Sequence, residues 1–163
     1  MYQPVDLQAV LKTFDDLWSP RIAARVNDYD VRVTKVAGSY IWHLHETTDE
    51  LFLVLDGELG IALRDPDERI VTLPAGSVFV VPRGVEHRPF SDDGASIVVI
   101  EPAGIPTTGD RHDPIPDHIK THTGLPVRAL PRAGGRTGAS YRGAARATTV
   151  AERVGCPEVT DPV

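Results

Sequence analysis

Between Arg21 and Glu101 the chain is divided into short runs of Val, Ile and Leu by turn-forming clusters, among them Asn27-Asp28, Asp56-Gly57, Asp65-Pro66-Asp67, Pro74-Ala75-Gly76 and Asp92-Asp93-Gly94. Nine runs can be marked off, at 22–26, 30–36, 39–46, 50–56, 59–64, 69–73, 78–81, 86–91 and 95–101. Runs of that length suit strands, and the gaps between them leave no room for a helix. Many short strands at even spacing bury their apolar faces by stacking or by closing on themselves. The pattern therefore predicts an all-β sandwich or barrel over 21–102.

The flanks read differently. In residues 1–20, Leu7, Val10, Leu11, Phe14, Leu17 and Trp18 recur at helical spacing, with Asp6 placed to cap the start and Ser19-Pro20 to stop the run. This predicts one N-terminal amphipathic helix. Residues 103–130 are polar and proline-containing, and read as an irregular wrap or lid. From Pro131 to Val163, 19 of 33 residues are Gly, Ala, Ser, Thr or Pro, and apolar periodicity is lost. That composition predicts a disordered tail.

With 163 residues, 41% of them hydrophobic, the chain has room for one domain with a substantial core. Its formal charge is −6, with residues 1–130 holding 12 basic and 20 acidic side chains. A balance of that sign argues against nucleic acid or an anionic membrane as partner, because both are bound through clustered Lys and Arg. The apolar runs are far shorter than the ~20 residues of a spanning helix. Met1–Val10 has no Lys or Arg and no apolar leader core, so a cytoplasmic location is expected. The single cysteine, Cys156, offers neither a disulfide nor a thiolate metal site. Any bound metal would have to be held by His and carboxylate.

Two segments carry such residues. In the first, His43 and His45 stand two apart on an expected strand, so both imidazoles leave the same face. Glu50 opens the next strand after a short turn, within reach of the pair. In the second, Pro82 and Gly84 suit a tight turn and His87 follows early in the next strand. Three imidazoles and a carboxylate suit a borderline divalent ion such as Zn, Fe, Mn or Ni, with coordination positions left for water or substrate. Strand parity makes Ile41, Phe52, Val54, Val85 and Pro89 the expected cavity lining, and turns Tyr40 and Trp42 away. It places no lysine, tyrosine or second carboxylate beside the site. His112, His118 and His122 fit no strong ligand spacing and read as solvated loop.

Gly38, His43-x-His45, Glu50 and Gly57, followed by Gly76, Pro82-x-Gly84 and His87, resemble the two motifs of the cupin superfamily, in order and near their usual spacing. Gly38 stands one residue closer to His43 than is usual there, and Ser91 stands where many members have Asn. The runs around Trp42–Phe52 and Val81–His87 look most like small single-domain bacterial cupins of the mannose-6-phosphate isomerase-like kind. The resemblance implies a double-stranded β-helix, or jelly-roll barrel, with one divalent metal ion inside it on His43, His45, Glu50 and His87, and commonly a homodimer. It leaves the chemistry open. The expected function is that of a metal-dependent enzyme acting on a small oxygen-rich metabolite, such as a sugar derivative, keto acid or diketone. Glu50 would be fourth ligand or general base in isomerase, epimerase or lyase chemistry. An Fe(II) dioxygenase and a non-catalytic, ligand-binding or regulatory cupin are the alternatives.

Overall fold

The computed structural model describes residues 3–127, and the tail from 131 onward, with Cys156, lies outside them. Among the described residues one helix, α1 (Leu7–Leu11), precedes nine strands: β1 (Arg21–Val26), β2 (Tyr29–Ser39), β3 (His43–Leu44), β4 (Glu50–Arg64), β5 (Glu68–Pro74), β6 (Val78–Val81), β7 (Glu86–Pro102), β8 (Arg111–His112) and β9 (Leu125–Pro126). The strands run in the order β5-β4-β7-β2-β1-β9. β6 pairs with β4, β3 with β7, and β8 with β3.

Two of the expected turns are bends within long strands. The runs at 50–56 and 59–64 join into β4, and those at 86–91 and 95–101 join into β7. β4 and β7 pair antiparallel from Leu51↔Ile100 through Gly57↔Ala95, then resume at Gly60↔Phe90 and continue to Arg64↔Glu86. The register shifts at the corner, as at a β-bulge, and both strands turn together. Gly57 and Gly94 make this possible with φ of 77° and 89°. A Cβ on Gly57 would also overlap the carbonyl oxygen of Gly94. Asp-Gly therefore marks a place where the strand bends while its partner stays paired.

Alternate residues of β2, β4 and β7 point inward, and their side chains meet in one core that includes Val36, Phe52, Val54, Leu59, Ile61, Leu63, Ile97 and Val99. The opposite face is covered by α1. Val10, Leu11 and Phe14 pack on Val33, with Leu55 beside them.

The helix is much shorter than its apolar spacing. Asp6 Oδ1 accepts from the amides of Gln8 (2.9 Å) and Ala9 (3.2 Å), as a capping residue should. The helix then ends at Leu11, with Lys12 as C-cap. The Thr13 hydroxyl donates to the Val10 carbonyl at 2.7 Å, and Lys35 Nζ donates to the Phe14 carbonyl at 2.7 Å. Those bonds occupy acceptors that a longer helix would use. Trp18 has φ of 53°, and its indole N–H donates to the Ala37 carbonyl at 2.9 Å.

The segment after β7 lies along the barrel and is fastened to it. Backbone amides of Asp110 and Asp113 donate to Leu44 and Trp42 carbonyls (2.9 Å each), and Leu125 N–H donates to Pro20 at 2.9 Å. Ile119 is buried against the main core.

Candidate metal centre

Three histidines and one carboxylate converge inside the barrel. His43 arrives on β3, directly opposite His87 of β7 in the strand register. His45 follows one residue beyond β3, and Glu50 opens β4. All four are buried, and each offers a ligand atom within 4.8 Å of the others. From Glu50 Oε2, the Nε2 atoms of His87, His45 and His43 stand at 2.9, 3.4 and 4.0 Å.

The second nitrogen orients two of the rings. His43 Nδ1 donates to the Ile41 carbonyl at 3.0 Å and His87 Nδ1 to the Val85 carbonyl at 3.1 Å. A proton on His43 Nδ1 leaves the Nε2 lone pair of that ring free, which is the state a metal-binding imidazole requires. Burial, with His87 close by, holds His43 down to about 3, so its ring is neutral at ordinary pH. Burial also opposes ionisation of Glu50, but the imidazoles of His45 and His87 outweigh it and hold the carboxyl below the usual range. Neither ring nitrogen of His45 has a hydrogen-bond partner although both are buried. Leaving such groups unpaired is costly. A divalent ion would engage one of them, so the residues present fit the group.

A cavity of about 40 Å³ opens beside His43 and Glu50. Trp18, Pro20, Tyr40, Phe52, Pro89, Ile97 and Val99 form its mostly apolar wall, and Thr34, Thr107 and Glu101 complete it. Of the residues expected to line it, Phe52 and Pro89 do. Ile41 and Val54 are placed in the main core, and Val85 packs against that core.

Tyr40 overturns its expected direction. It lines the cavity, edge-on to His43 with ring centroids 5.4 Å apart, and its hydroxyl donates to the Thr107 carbonyl at 3.3 Å. Parity failed because Ser39 ends β2 and His43 begins β3, so no continuous strand relates Tyr40 to Leu44. Burial pushes the Tyr40 phenol up to about 12. Trp42 does stay outside the cavity lining, and the Arg64 guanidinium lies 3.8 Å from its ring centroid.

Glu101 was missed as well. It shares the inward face of β7 with Ile97 and Val99, and that alternation in the sequence could have found it. Its Oε1 accepts from Arg32 Nη1, and Arg32 is wholly buried on β2. Burial, joined by the negative charge of Glu50 and offset only in part by Arg32, pushes Glu101 up to about 9. Asp30, opposite Glu101 in the register, accepts from Arg25 Nε at 2.8 Å. Outside this group, His112 and His118 are exposed. His122 bonds Ser19 and the Gly124 amide, and none of these three histidines joins the cluster.

Comparisons with known proteins bear on the same region. The family described as Cupin domain matches residues 31–101, which include all four clustered residues. A crystal structure of a cupin-2 domain containing protein from Shewanella frigidimarina is 45% identical, with 56% of this chain and 86% of that chain covered and a TM-score of 0.53. The chain belongs to the cupin superfamily. This cupin is also 42% identical over 65 residues to the protein YdbB of Bacillus subtilis (strain 168), spanning 40% of its own chain and 56% of that relative's length. A hydroquinone 1,2-dioxygenase from Sphingomonas sp. TTNP3 with 4-hydroxybenzoate bound is similar to the cupin at 25% identity, over 56% of this chain and 29% of that one, with a TM-score of 0.52.

Proposed function

We propose that this cupin is a metal-dependent enzyme that binds one divalent ion on His43, His45, Glu50 and His87 and acts on a small oxygen-bearing metabolite in the adjoining cavity. The observation that carries this reading is the convergence of four buried ligand atoms, one of them on an imidazole without any other partner. A bound ion would supply Lewis-acid polarisation of a substrate oxygen or, as Fe(II), electrons for dioxygen chemistry. Glu50 is ionised at ordinary pH, which suits it as a ligand or as a base once substrate displaces it. The apolar wall excludes water from the reacting group. A polyhydroxylated sugar would find few partners there. A keto acid, a diketone or a hydroxylated ring suits the lining better, through isomerase or lyase chemistry.

Dioxygenase chemistry is the second reading. It is favoured by the aromatic and aliphatic lining and by the likeness to a hydroquinone 1,2-dioxygenase. Metal analysis of protein prepared without oxygen tests both readings against His45→Ala and His87→Ala. Wild-type protein that stays metal-free after reconstitution would leave only a non-catalytic binding role. Iron with substrate-dependent oxygen uptake selects the dioxygenase; zinc, manganese or nickel without uptake selects isomerase or lyase chemistry. The homodimer implied by the resemblance would use exposed apolar residues such as Ile70, Val78 and Val80 of β5 and β6.

A further inference from the structure

The cavity has a second polar pole that the four clustered residues do not account for. β4 and β7 pair Leu51 with Ile100 and Phe52 with Val99, so the next step of the register sets Glu50 beside Glu101 on the inward face. Both carboxyl groups line the same cavity. They differ in what surrounds them. Glu50 is enclosed by imidazoles, whereas Glu101 is 2% exposed and held through Oε1 by Arg32, which also donates to the Ile105 carbonyl at 3.2 Å. Glu101 Oε2 is buried and has no hydrogen-bond partner.

A purely structural ion pair would be expected to satisfy both oxygens, because an orphaned buried oxygen forfeits much of the pair's benefit. Arg32 instead fixes one oxygen and leaves the other without a partner, on a residue that lines a mostly apolar cavity. That is the arrangement of a ligand-contacting group held by a positioning residue.

We propose that Glu101 Oε2 binds a hydroxyl group of the molecule taken up in this cavity, with Arg32 fixing the direction of the carboxyl group. The ligand class is then a small, largely apolar molecule with two oxygens, one for the metal pole and a hydroxyl for Glu101. A hydroxyl both donates and accepts, so it matches Glu101 as an acid or as a carboxylate. This inference rests on the metal-centre reading for the first oxygen, and on the Arg32–Glu101 geometry for the second.

The test uses full-length protein loaded with zinc, which is redox-inert, and calorimetric titration with catechol, resorcinol and hydroquinone, each compared with phenol under argon. At least one diol should bind wild-type protein about tenfold more tightly than phenol, the scale of one hydrogen bond to a charged or acidic partner. The double variant Arg32→Met/Glu101→Leu, which replaces the buried pair by apolar side chains, should lose that preference and keep its zinc affinity within about threefold, well under the change expected from losing a ligand's partner. Glu101→Gln, which still offers Arg32 an acceptor, should show a reduced preference, and it alone decides if the double variant does not fold. A diol-to-phenol ratio near one in wild-type protein, or a ratio unchanged in the variants while their Tm falls, would overturn the proposal and leave Arg32–Glu101 a structural pair. If wild-type protein takes up no zinc, the metal-centre reading fails, and the same ratio measured on zinc-free protein still judges Glu101.

Discussion

Glu50 Oε2 lies 2.9 Å from His87 Nε2, although the two residues are 37 positions apart and come from the beginnings of different long strands. This contact joins the two halves of the cluster, one contributed by residues 43–50 and the other by residue 87. Replacing either partner therefore affects the whole centre. His87→Ala and Glu50→Gln should each weaken zinc binding by more than the roughly 10–100-fold typical of losing a group behind a ligand. Competition against a chromophoric chelator measures this, and wild-type affinity in both variants would remove them from the ligand set.

Metal binding should also be visible as stability. A ligand at a hundredfold excess over its Kd stabilises the folded state by about 2.7 kcal/mol. For a chain of this length that is a rise in Tm of roughly 5–10 °C, reversed by a chelator. Differential scanning fluorimetry with zinc or manganese reads it directly, and His45→Ala should abolish the rise.

The metal-free protein should lose stability as pH rises above the ordinary imidazole range towards 9. Burial and the charge of Glu50 raise Glu101 to about 9, with Asp30 adding to the rise and Arg32 opposing it. The folded chain then holds this proton more tightly than the unfolded chain does. Its contribution is complete below about pH 4.5 and is lost as pH rises through 9. Below that window the buried neutral His43 works in the opposite direction, so thermal denaturation between about pH 7 and 9, followed by circular dichroism with chelator present, should show a declining Tm that Glu101→Gln flattens.

The corner of the barrel should be intolerant of a side chain at Gly57. Its φ of 77° is unfavourable for alanine, and the added Cβ would overlap the Gly94 carbonyl. Gly57→Ala should destabilise the protein by about 1–3 kcal/mol from the backbone alone, with the overlap adding to it. Chemical denaturation measures the loss. Gly76→Ala is the control, because it shares the positive φ and its Cβ would meet open space.

Much of the centre was legible in the sequence because it depends on local order. His43-x-His45 and Glu50 lie within eight residues, and His87 follows a Pro-x-Gly turn, so short-range spacing brings each to a recognisable place. The cavity wall was less legible. Parity works within a strand, and it failed at Tyr40 because the chain between Ser39 and His43 leaves the sheet. Asp56-Gly57 and Asp92-Asp93-Gly94 have the composition of turns, because a positive-φ glycine serves a reversal and a bend equally well. Only the continued pairing of β4 with β7 distinguishes the two.

The sequence by itself determined an all-β chain with a capped helix in front of it, and which four side chains form the cluster. Hydrophobic alternation, turn residues and the chemistry of imidazole and carboxylate are properties of neighbouring residues. Tertiary structure alone decided that the helix would stop at Leu11 and that Tyr40 and Glu101 would face the same cavity as Glu50. Those outcomes depend on acceptors, registers and charges supplied by distant parts of the chain. Lys35 takes the Phe14 carbonyl, and Arg32 holds Glu101 across 69 residues.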